Sequence, residues 1–176
     1  MAANISGMKR SHRCGEVTEK DVGKEVTVMG WVQKRRDLGA ILFITLRDRS
    51  GILQIVIDSD TRKDLHEQAL PVRSEYVVAV RGNLKARSID AVNANMPTGA
   101  WELVADEFRI LSRAETPPFH IEDKAAANEA LRLKYRYLDL RRPEMQAGFI
   151  LRHRLAKCAR DHFSNEGFLE IETPVL

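Results

Sequence analysis

Five stretches in the first 111 residues alternate apolar and polar side chains, and this alternation is what most constrains how the chain can fold. In residues 41–47, for example, Leu42, Ile44 and Leu46 share one parity. Such a pattern predicts strands that bury one face and expose the other, because successive side chains of a strand point to opposite faces. The predicted strands are 25–36, 41–47, 53–57, 76–87 and 101–111.

A short helix is predicted between the third and fourth strands, at 61–69, where the alternation stops and Pro71 follows. Gly30 and Gly82 lie inside long strands, which is typical of the tight bends of a small barrel. Five strands with one helix between the third and fourth are what a five-stranded Greek-key OB barrel requires. We therefore predict an all-β OB-fold barrel. A generic β-sandwich is the alternative, but it usually needs about seven strands.

The pattern changes after residue 111. The sequence Thr116-Pro117-Pro118 is stiff and extended and lies in a predicted linker. A long amphipathic helix is then predicted from Pro143 to Glu166, ended by Gly167, with a strand at 168–173 after it. Because one helix and one strand cannot bury their apolar faces alone, we expect this second domain to be incomplete. The predicted domains are a barrel at 1–111, a linker or hinge at 112–141, and the start of a second domain at 142–176.

Basic residues are concentrated in two places, although the net charge of the whole chain is only +3. Lys34, Arg35 and Arg36 are consecutive, and residues 132–160 contain nine Lys or Arg against two acidic residues. Such clusters favour a polyanionic partner, for example a nucleic acid. A merely solvated surface is the alternative for each cluster.

Several classes of protein are disfavoured. No apolar run reaches the ~18 residues of a transmembrane helix, so no membrane partner is expected. Cys14 and Cys158 are the two cysteines and lie far apart, which disfavours a zinc or redox site and makes a reduced, cytoplasmic compartment the simplest interpretation. No glycine-rich phosphate loop, nucleophile–histidine arrangement or paired-acid motif is visible, so neither catalytic residues nor metal ligands are predicted.

Strand parity predicts a binding face on the outside of the barrel. If Leu42 and its parity mates point inward, Phe43 points outward, and the same argument places Gln54 outside on the adjacent strand. An exposed aromatic ring beside an amide, near Arg36, can stack one unpaired base and read the edge of its neighbour. Arg87, at the end of the fourth strand, can add a phosphate or base contact. The alternative is that Phe43 packs beneath the linker or the second domain.

These residues resemble a known family. The runs at 30–32, 35–39 and 43–48 look like the anticodon-binding OB domain of class II aminoacyl-tRNA synthetases of the Asp/Asn/Lys group. The run at 132–145 resembles the entry to the catalytic domain of bacterial aspartyl-tRNA synthetases, and its Arg-Arg-Pro-Glu-Met sequence favours aspartate over the asparagine and lysine relatives. The run at 167–176 resembles motif 1 of the class.

The resemblance implies roles for individual residues. Leu38 matches a position linked in the family to discrimination between aspartate and asparagine tRNAs, and leucine there suggests a discriminating enzyme. Gly167, Phe168 and Pro174 match motif 1, which builds the dimer interface. For Arg73, Asn93 and Glu102 the resemblance is the only argument. The implied tRNA contacts are Arg36, Phe43, Gln54, Arg73, Arg87, Asn93 and Glu102.

The family also implies an activity for the whole protein. It would activate L-aspartate with ATP and Mg²⁺ and attach it to a tRNA with a G-U-C anticodon, acting as a cytoplasmic homodimer. Motifs 2 and 3, which carry the ATP and amino-acid contacts, would lie after Leu176. We therefore expect the chain to begin a class II α+β catalytic domain without completing it, to hold no cofactor, and to bind tRNA without catalysis.

Three other interpretations stay open. The first is a general single-stranded nucleic-acid-binding OB module. The second is a fragment of an asparagine- or lysine-type synthetase. The third is a dimerisation module without RNA binding, in which residues 143–176 are the interface.

Overall fold

The computed structural model describes residues 4–123 and 127–174. Parts of three predictions lie outside these residues: 1–3 of the barrel domain, 124–126 of the linker and 175–176 at the end of motif 1. The chain divides into two compact units, Met1–Pro117 and Pro118–Leu176. Among the described residues, no helix has the length and apolarity to cross a membrane.

The first unit is a closed barrel of five strands in the order β1-β2-β3-β5-β4. The β3–β5 pair is parallel and the other four pairs are antiparallel. One helix, α1 (Lys63–Ala69), connects β3 to β4. The predicted OB-fold barrel is therefore confirmed, and the sandwich alternative is wrong. The strands are β1 (Glu25–Asp37), β2 (Ile41–Arg47), β3 (Ile52–Asp58), β4 (Val77–Ala86) and β5 (Trp101–Ser112).

Inward-facing aliphatic side chains fill the barrel. Leu42, Ile44 and Leu46 are fully buried, as their parity predicted, and each such side chain stabilises the fold by about 1.5–3 kcal/mol. The two glycines permit the close backbone approaches of a small barrel. A Cβ at Gly30 would lie 2.3 Å from the carbonyl oxygen of Arg47, and one at Gly82 would lie 1.9 Å from that of Val104.

Part of the outer barrel surface is covered by the segment that precedes β1. Met8 packs with Met29 of β1 and Ala79 of β4, and Leu111 lies against this cluster. The backbone N–H of Ser11 donates to the carbonyl of Thr27 at 3.0 Å. The chain itself thereby covers this part of the β1–β4 surface.

The described residues of the second unit form three α-helices, α2 (Glu129–Lys134), α3 (Arg136–Asp139) and α4 (Pro143–Asn165). Phe119, Ile121 and Leu138 form its small apolar cluster. The helices α2 and α3 thus fall within the predicted linker 112–141, and the domain bounds given above stay a prediction. The predicted long helix is confirmed as α4.

The strand predicted at 168–173 is wrong for the described residues. A Schellman motif ends α4: Gly167, at φ +86°, donates to Ser164 at 3.1 Å, and Phe168 donates to Phe163 at 3.0 Å. The chain then folds back, and Arg160 Nε lies 3.0 Å from both carboxylate oxygens of Glu170. A strand requires a neighbour for its backbone hydrogen bonds, and no described strand pairs with this segment.

Candidate nucleic-acid interface

The register of β1, β2 and β3 brings Arg36 and Phe43 together on the outer surface. Arg36 lies opposite Phe43, and Phe43 lies opposite Val56. The guanidinium carbon of Arg36 is 5.5 Å from the centre of the half-buried Phe43 ring, a cation–π distance. Because a guanidinium plane stacks on bases much as an aromatic ring does, both members of this pair suit an unpaired base.

Gln54 lies on the same outer face of the sheet as Phe43, on the adjacent strand β3. Thr45 pairs with Gln54 while Phe43 pairs with Val56, so Phe43 and Gln54 are diagonal neighbours on adjacent strands. Diagonal neighbours on adjacent strands are close enough for an aromatic ring and a long side chain to contact each other. The structure thus places the ring and the amide together, as strand parity predicted.

Glu102 and Arg87 extend this group onto β5 and the end of β4. Gln54 Nε2 donates to Glu102 Oε2 at 3.1 Å, across the parallel β3–β5 pair. The same carboxylate oxygen lies 3.4 Å from Arg87 Nε. The three side chains therefore form a continuous polar line, which we call the Gln54–Glu102–Arg87 line. It lies beside the Arg36–Phe43 pair.

Arg87 is the member of this line with unused donors. Its side chain is only 4% exposed, and its Nε and Nη2 have no hydrogen-bond partner. The 3.4 Å separation from Glu102 is thus an ion pair without a well-aligned hydrogen bond. Burial lowers the pKa of Arg87, and the nearby Glu102 charge opposes that shift. Unpaired buried donors are costly, so this site suits an acceptor supplied by a ligand.

Three of the implied tRNA-binding or discriminating residues lie on exposed loops. Leu38, 64% exposed, is at the tip of the β1–β2 hairpin beside Gly39, which has φ +81°. Arg73 lies in the segment between α1 and β4, and its side chain is exposed. Asn93 lies between β4 and β5, where its Oδ1 accepts from the Asn95 N–H at 3.0 Å. The sheet register does not bring these three into the line described above.

The basic cluster Lys34–Arg36 lies beside this outer face of the barrel, whereas the basic cluster at 132–160 is partly buried. Asp139 is fully buried and accepts from Arg136 and Arg142, with Arg142 Nε at 2.7 Å. With Arg132, whose Nη1 lies 3.9 Å from the same carboxylate, three guanidinium groups of the 132–160 cluster are therefore used in an ion-pair network within the second unit. Sequence reasoning treated them as a surface feature because the pattern gave no sign that Asp139 is buried.

The motif 1 residues belong to the second unit. Gly167 supplies the left-handed residue that ends α4, and both Phe168 and Pro174 are exposed. Within residues 4–123 and 127–174, no group of three or more His, Cys, Asp or Glu could hold a metal ion.

Comparison with known families identifies the class. A family model described as an OB-fold nucleic acid binding domain, of the tRNA anticodon type, matches residues 26–111. A second, described as tRNA synthetases class II (D, K and N), matches residues 128–176. Residues 26–111 therefore form an OB domain of the tRNA anticodon type, and residues 128–176 match the N-terminal part of a class II tRNA synthetase of the D, K and N group.

Within that class, its relatives are bacterial aspartate–tRNA ligases. The Aspartate--tRNA ligase of Ruminiclostridium cellulolyticum is 54% identical over all 176 residues, which span 30% of that protein. The Aspartate--tRNA(Asp/Asn) ligase of Symbiobacterium thermophilum is 59% identical over 96% of this chain and 29% of its own length. The chain thus spans about 30% of the length of such relatives. The resemblance to bacterial aspartyl-tRNA synthetases is confirmed.

Solved structures agree on the fold. Asparaginyl-tRNA synthetase from Pyrococcus horikoshii, complexed with asparaginyl-adenylate, aligns with a TM-score of 0.80 at 26% identity, covering 95% of this chain and 37% of that one. A putative aspartyl-tRNA synthetase from Leishmania major has a TM-score of 0.84 at 22% identity, covering 98% of this chain and 36% of that one.

Proposed function

We propose that this chain is the tRNA-anticodon-binding part of an aspartate–tRNA ligase. The observation that carries the proposal is the Gln54–Glu102–Arg87 line beside the Arg36–Phe43 pair. The pair offers stacking surfaces, and the line offers an amide, a carboxylate and unused guanidinium donors. Splayed-out bases of a single-stranded loop are recognised by this combination of stacking and edge hydrogen bonds.

The chemistry of the line favours sequence-specific binding over general binding. A non-specific single-strand site requires stacking and positive charge alone. Glu102 adds an acceptor that repels phosphate and attracts base N–H groups. The amide of Gln54 is held by Glu102 through one N–H of Nε2, so its Oε1 and its second N–H have fixed positions for the edge of a base.

The whole protein, in this proposal, activates L-aspartate with ATP and attaches it to a tRNA that carries a G-U-C anticodon. It acts as a homodimer in the cytoplasm, with motif 1 at the dimer interface through Gly167, Phe168 and Pro174. ATP and Mg²⁺ are assigned to motifs 2 and 3 of that protein, which carry the ATP and amino-acid contacts of the class. This chain on its own binds tRNA and does not catalyse.

Relatives of this chain carry two names, Aspartate--tRNA ligase and Aspartate--tRNA(Asp/Asn) ligase, at similar identity. We propose that Leu38 contributes to the distinction between the two tRNAs, since it is exposed at the tip of the β1–β2 hairpin. Asn93 and Arg73 are proposed as peripheral contacts from the flanking loops.

Fluorescence anisotropy with a labelled anticodon hairpin tests the proposal. We expect the chain to bind a hairpin that carries G-U-C more tightly than one with an unrelated anticodon, and both affinities to fall with added salt. Equal affinities for the two hairpins, and for an unstructured oligonucleotide, would indicate a general single-strand binder. The absence of binding to any RNA would favour the dimerisation interpretation instead.

A further inference from the structure

Glu75 adopts a backbone conformation that is unusual for its residue type. Its φ is +65°, and it is the only described residue other than glycine with a positive φ. Glycine adopts this left-handed region without steric cost, whereas a residue with a Cβ is strained there. Glu75 is the second residue before β4. Such strain persists only where surrounding contacts hold it, and it is concentrated at functional sites.

Arg47, the last residue of β2, provides one such contact. Its Nη2 donates to both carboxylate oxygens of Glu75, at 2.9 Å and 2.8 Å. The two side chains are only 13% and 10% exposed. An ion pair this well buried is weakly screened by salt, so it holds Glu75 under conditions where surface pairs are ineffective.

The segment around Glu75 is also tied to β1, at the point where the register of that strand shifts. The Glu75 N–H donates to the carbonyl of Val32 at 2.7 Å, and the Val32 N–H donates to the carbonyl of Tyr76 at 2.9 Å. The register of β1 against β2 shifts between Val32 and Lys34. The backbone of Glu75 and Tyr76 therefore holds β1 at Val32, directly beside this register shift.

Arg73 is two residues before Glu75, and its side chain is exposed. Its carbonyl accepts from the Tyr76 N–H at 3.2 Å, which closes a tight turn over Ser74 and Glu75. A flexible loop would have to order on binding, whereas a loop already held in one conformation does not incur that cost. The turn is thus suited to present the Arg73 guanidinium in a fixed place.

We propose that Arg47 and Glu75 are positioning residues: their ion pair holds the left-handed turn that presents Arg73 to the phosphate backbone of the bound RNA. This inference rests on the proposed function. It assigns to Arg47 and Glu75 no contact with RNA of their own. The competing explanation is that the pair stabilises the barrel and nothing else.

A double-mutant cycle on the whole chain separates the two explanations. Glu75→Gly removes the carboxylate but tolerates the positive φ, so the barrel is expected to fold. We expect Glu75→Gly and Arg73→Ala each to weaken binding of the G-U-C hairpin roughly 3- to 10-fold, and the double variant to be no weaker than Arg73→Ala alone. The slope of log affinity against log salt should fall by about 0.7 in each variant, the value for one lost phosphate contact on a single strand.

Several outcomes overturn the inference. Binding of the hairpin by Glu75→Gly at wild-type affinity would do so. A double variant whose loss of affinity equals the product of the two single losses would also do so. An unchanged salt slope in Glu75→Gly would indicate a purely structural role. If Glu75→Gly does not fold, Glu75→Gln serves in the same cycle. Asp64→Asn, which cuts the exposed Arg62–Asp64 pair elsewhere on the barrel, is the control and should leave affinity unchanged. If the wild-type chain binds no hairpin, the proposed function itself fails, which is a separate result.

Discussion

Glu102 Oε2 accepts a hydrogen bond from Gln54 Nε2 at 3.1 Å and thereby fixes the orientation of the Gln54 amide. An amide that is free to rotate offers a donor and an acceptor interchangeably and discriminates poorly between bases. An amide held through one N–H offers its oxygen and its second N–H in fixed positions. In the proposed function, the hydrogen bond between these two side chains therefore contributes to specificity as well as to stability.

Removing Glu102 should reduce discrimination more than affinity. In Glu102→Ala, the Gln54 amide is free to rotate, so we expect the preference for G-U-C over an altered anticodon to fall by about tenfold, within the 1–3 kcal/mol typical of one base contact. Anisotropy titrations with the two hairpins measure this ratio. Glu107→Ala, on the same strand but paired with Arg81 and Arg109, is the matched control and should keep the preference. An unchanged preference in Glu102→Ala would contradict the role given to this carboxylate.

Phe43→Ala should weaken hairpin binding strongly without unfolding the barrel. Stacking on one aromatic ring contributes about 1–3 kcal/mol, which corresponds to roughly 5- to 150-fold in affinity. Phe43→Tyr keeps the ring and should stay near the wild-type value. Phe149→Ala removes an exposed ring on α4 and serves as a control for non-specific effects. Comparable binding by Phe43→Ala and the wild type would show that the ring does not stack on a base.

Arg87→Met should weaken binding of the hairpin without lowering the melting temperature of the chain. The buried Nε and Nη2 of Arg87 make no hydrogen bond, which is a cost in the free protein, and Glu102 keeps its hydrogen bond from Gln54 when its ion pair with Arg87 is removed. Replacing the guanidinium with an apolar chain of similar length should therefore leave the melting temperature unchanged or raise it. Affinity for the hairpin should nevertheless fall by about 1.5–3 kcal/mol, as expected when a charged hydrogen bond is lost. Calorimetry and anisotropy on the same variant test both halves. A large drop in melting temperature with unchanged affinity would assign Arg87 to the fold.

Protonation of Asp48 should lower the free energy of unfolding of the barrel at acidic pH. Burial raises the pKa of this carboxyl, but hydrogen bonds from Ser50, Cys14 and Gly51 outweigh burial and hold the pKa below its usual value. A lowered pKa in the folded state contributes stability that is present above the ordinary value, about 3.9, and is lost as pH falls through the lowered one. We expect Asp48→Asn to be less stable than the wild type at neutral pH, with the difference shrinking below about pH 4. Urea denaturation at several pH values measures it, and a constant difference would refute the assignment.

Leu38→Ala should alter the choice between tRNAs and leave the barrel intact. The side chain is 64% exposed at a hairpin tip, so it contributes little to the core. We expect the ratio of affinities for aspartate and asparagine tRNA transcripts to change by roughly 10-fold, the low end of the range for a small apolar contact, because the side chain is exposed. Parallel titrations with both transcripts give this ratio. If it does not move, discrimination lies elsewhere in the molecule.

The barrel strands could be predicted from the sequence because each strand is indicated by a pattern among neighbouring residues. Alternation within seven residues was enough to orient Phe43 and Leu42 on opposite faces, and Gly30 marked a bend whose carbonyl neighbour leaves no room for a Cβ. The long helix α4 was predictable for the same reason, from Pro143 at its start to Gly167 after its end.

Features that depend on distant pairing could not be predicted. Arg47 and Glu75 are 28 positions apart, and nothing in the sequence indicates that their side chains meet or that Glu75 is left-handed. The burial of Arg87 depends on its surroundings in the closed barrel. The strand at 168–173 has suitable side chains, but a strand also requires a partner, which a local pattern does not supply.

The parallel β3–β5 pairing has a kinetic consequence. Gln54 and Glu102 are 48 positions apart and meet only when the barrel closes, whereas Phe43 and Gln54 are already neighbours in the β2–β3 hairpin. Contacts of long sequence separation form late in folding because the closing loop must first be ordered. A folding chain is thus expected to form the stacking surface before the polar line. In the proposed function, discrimination between anticodons therefore requires the closed barrel.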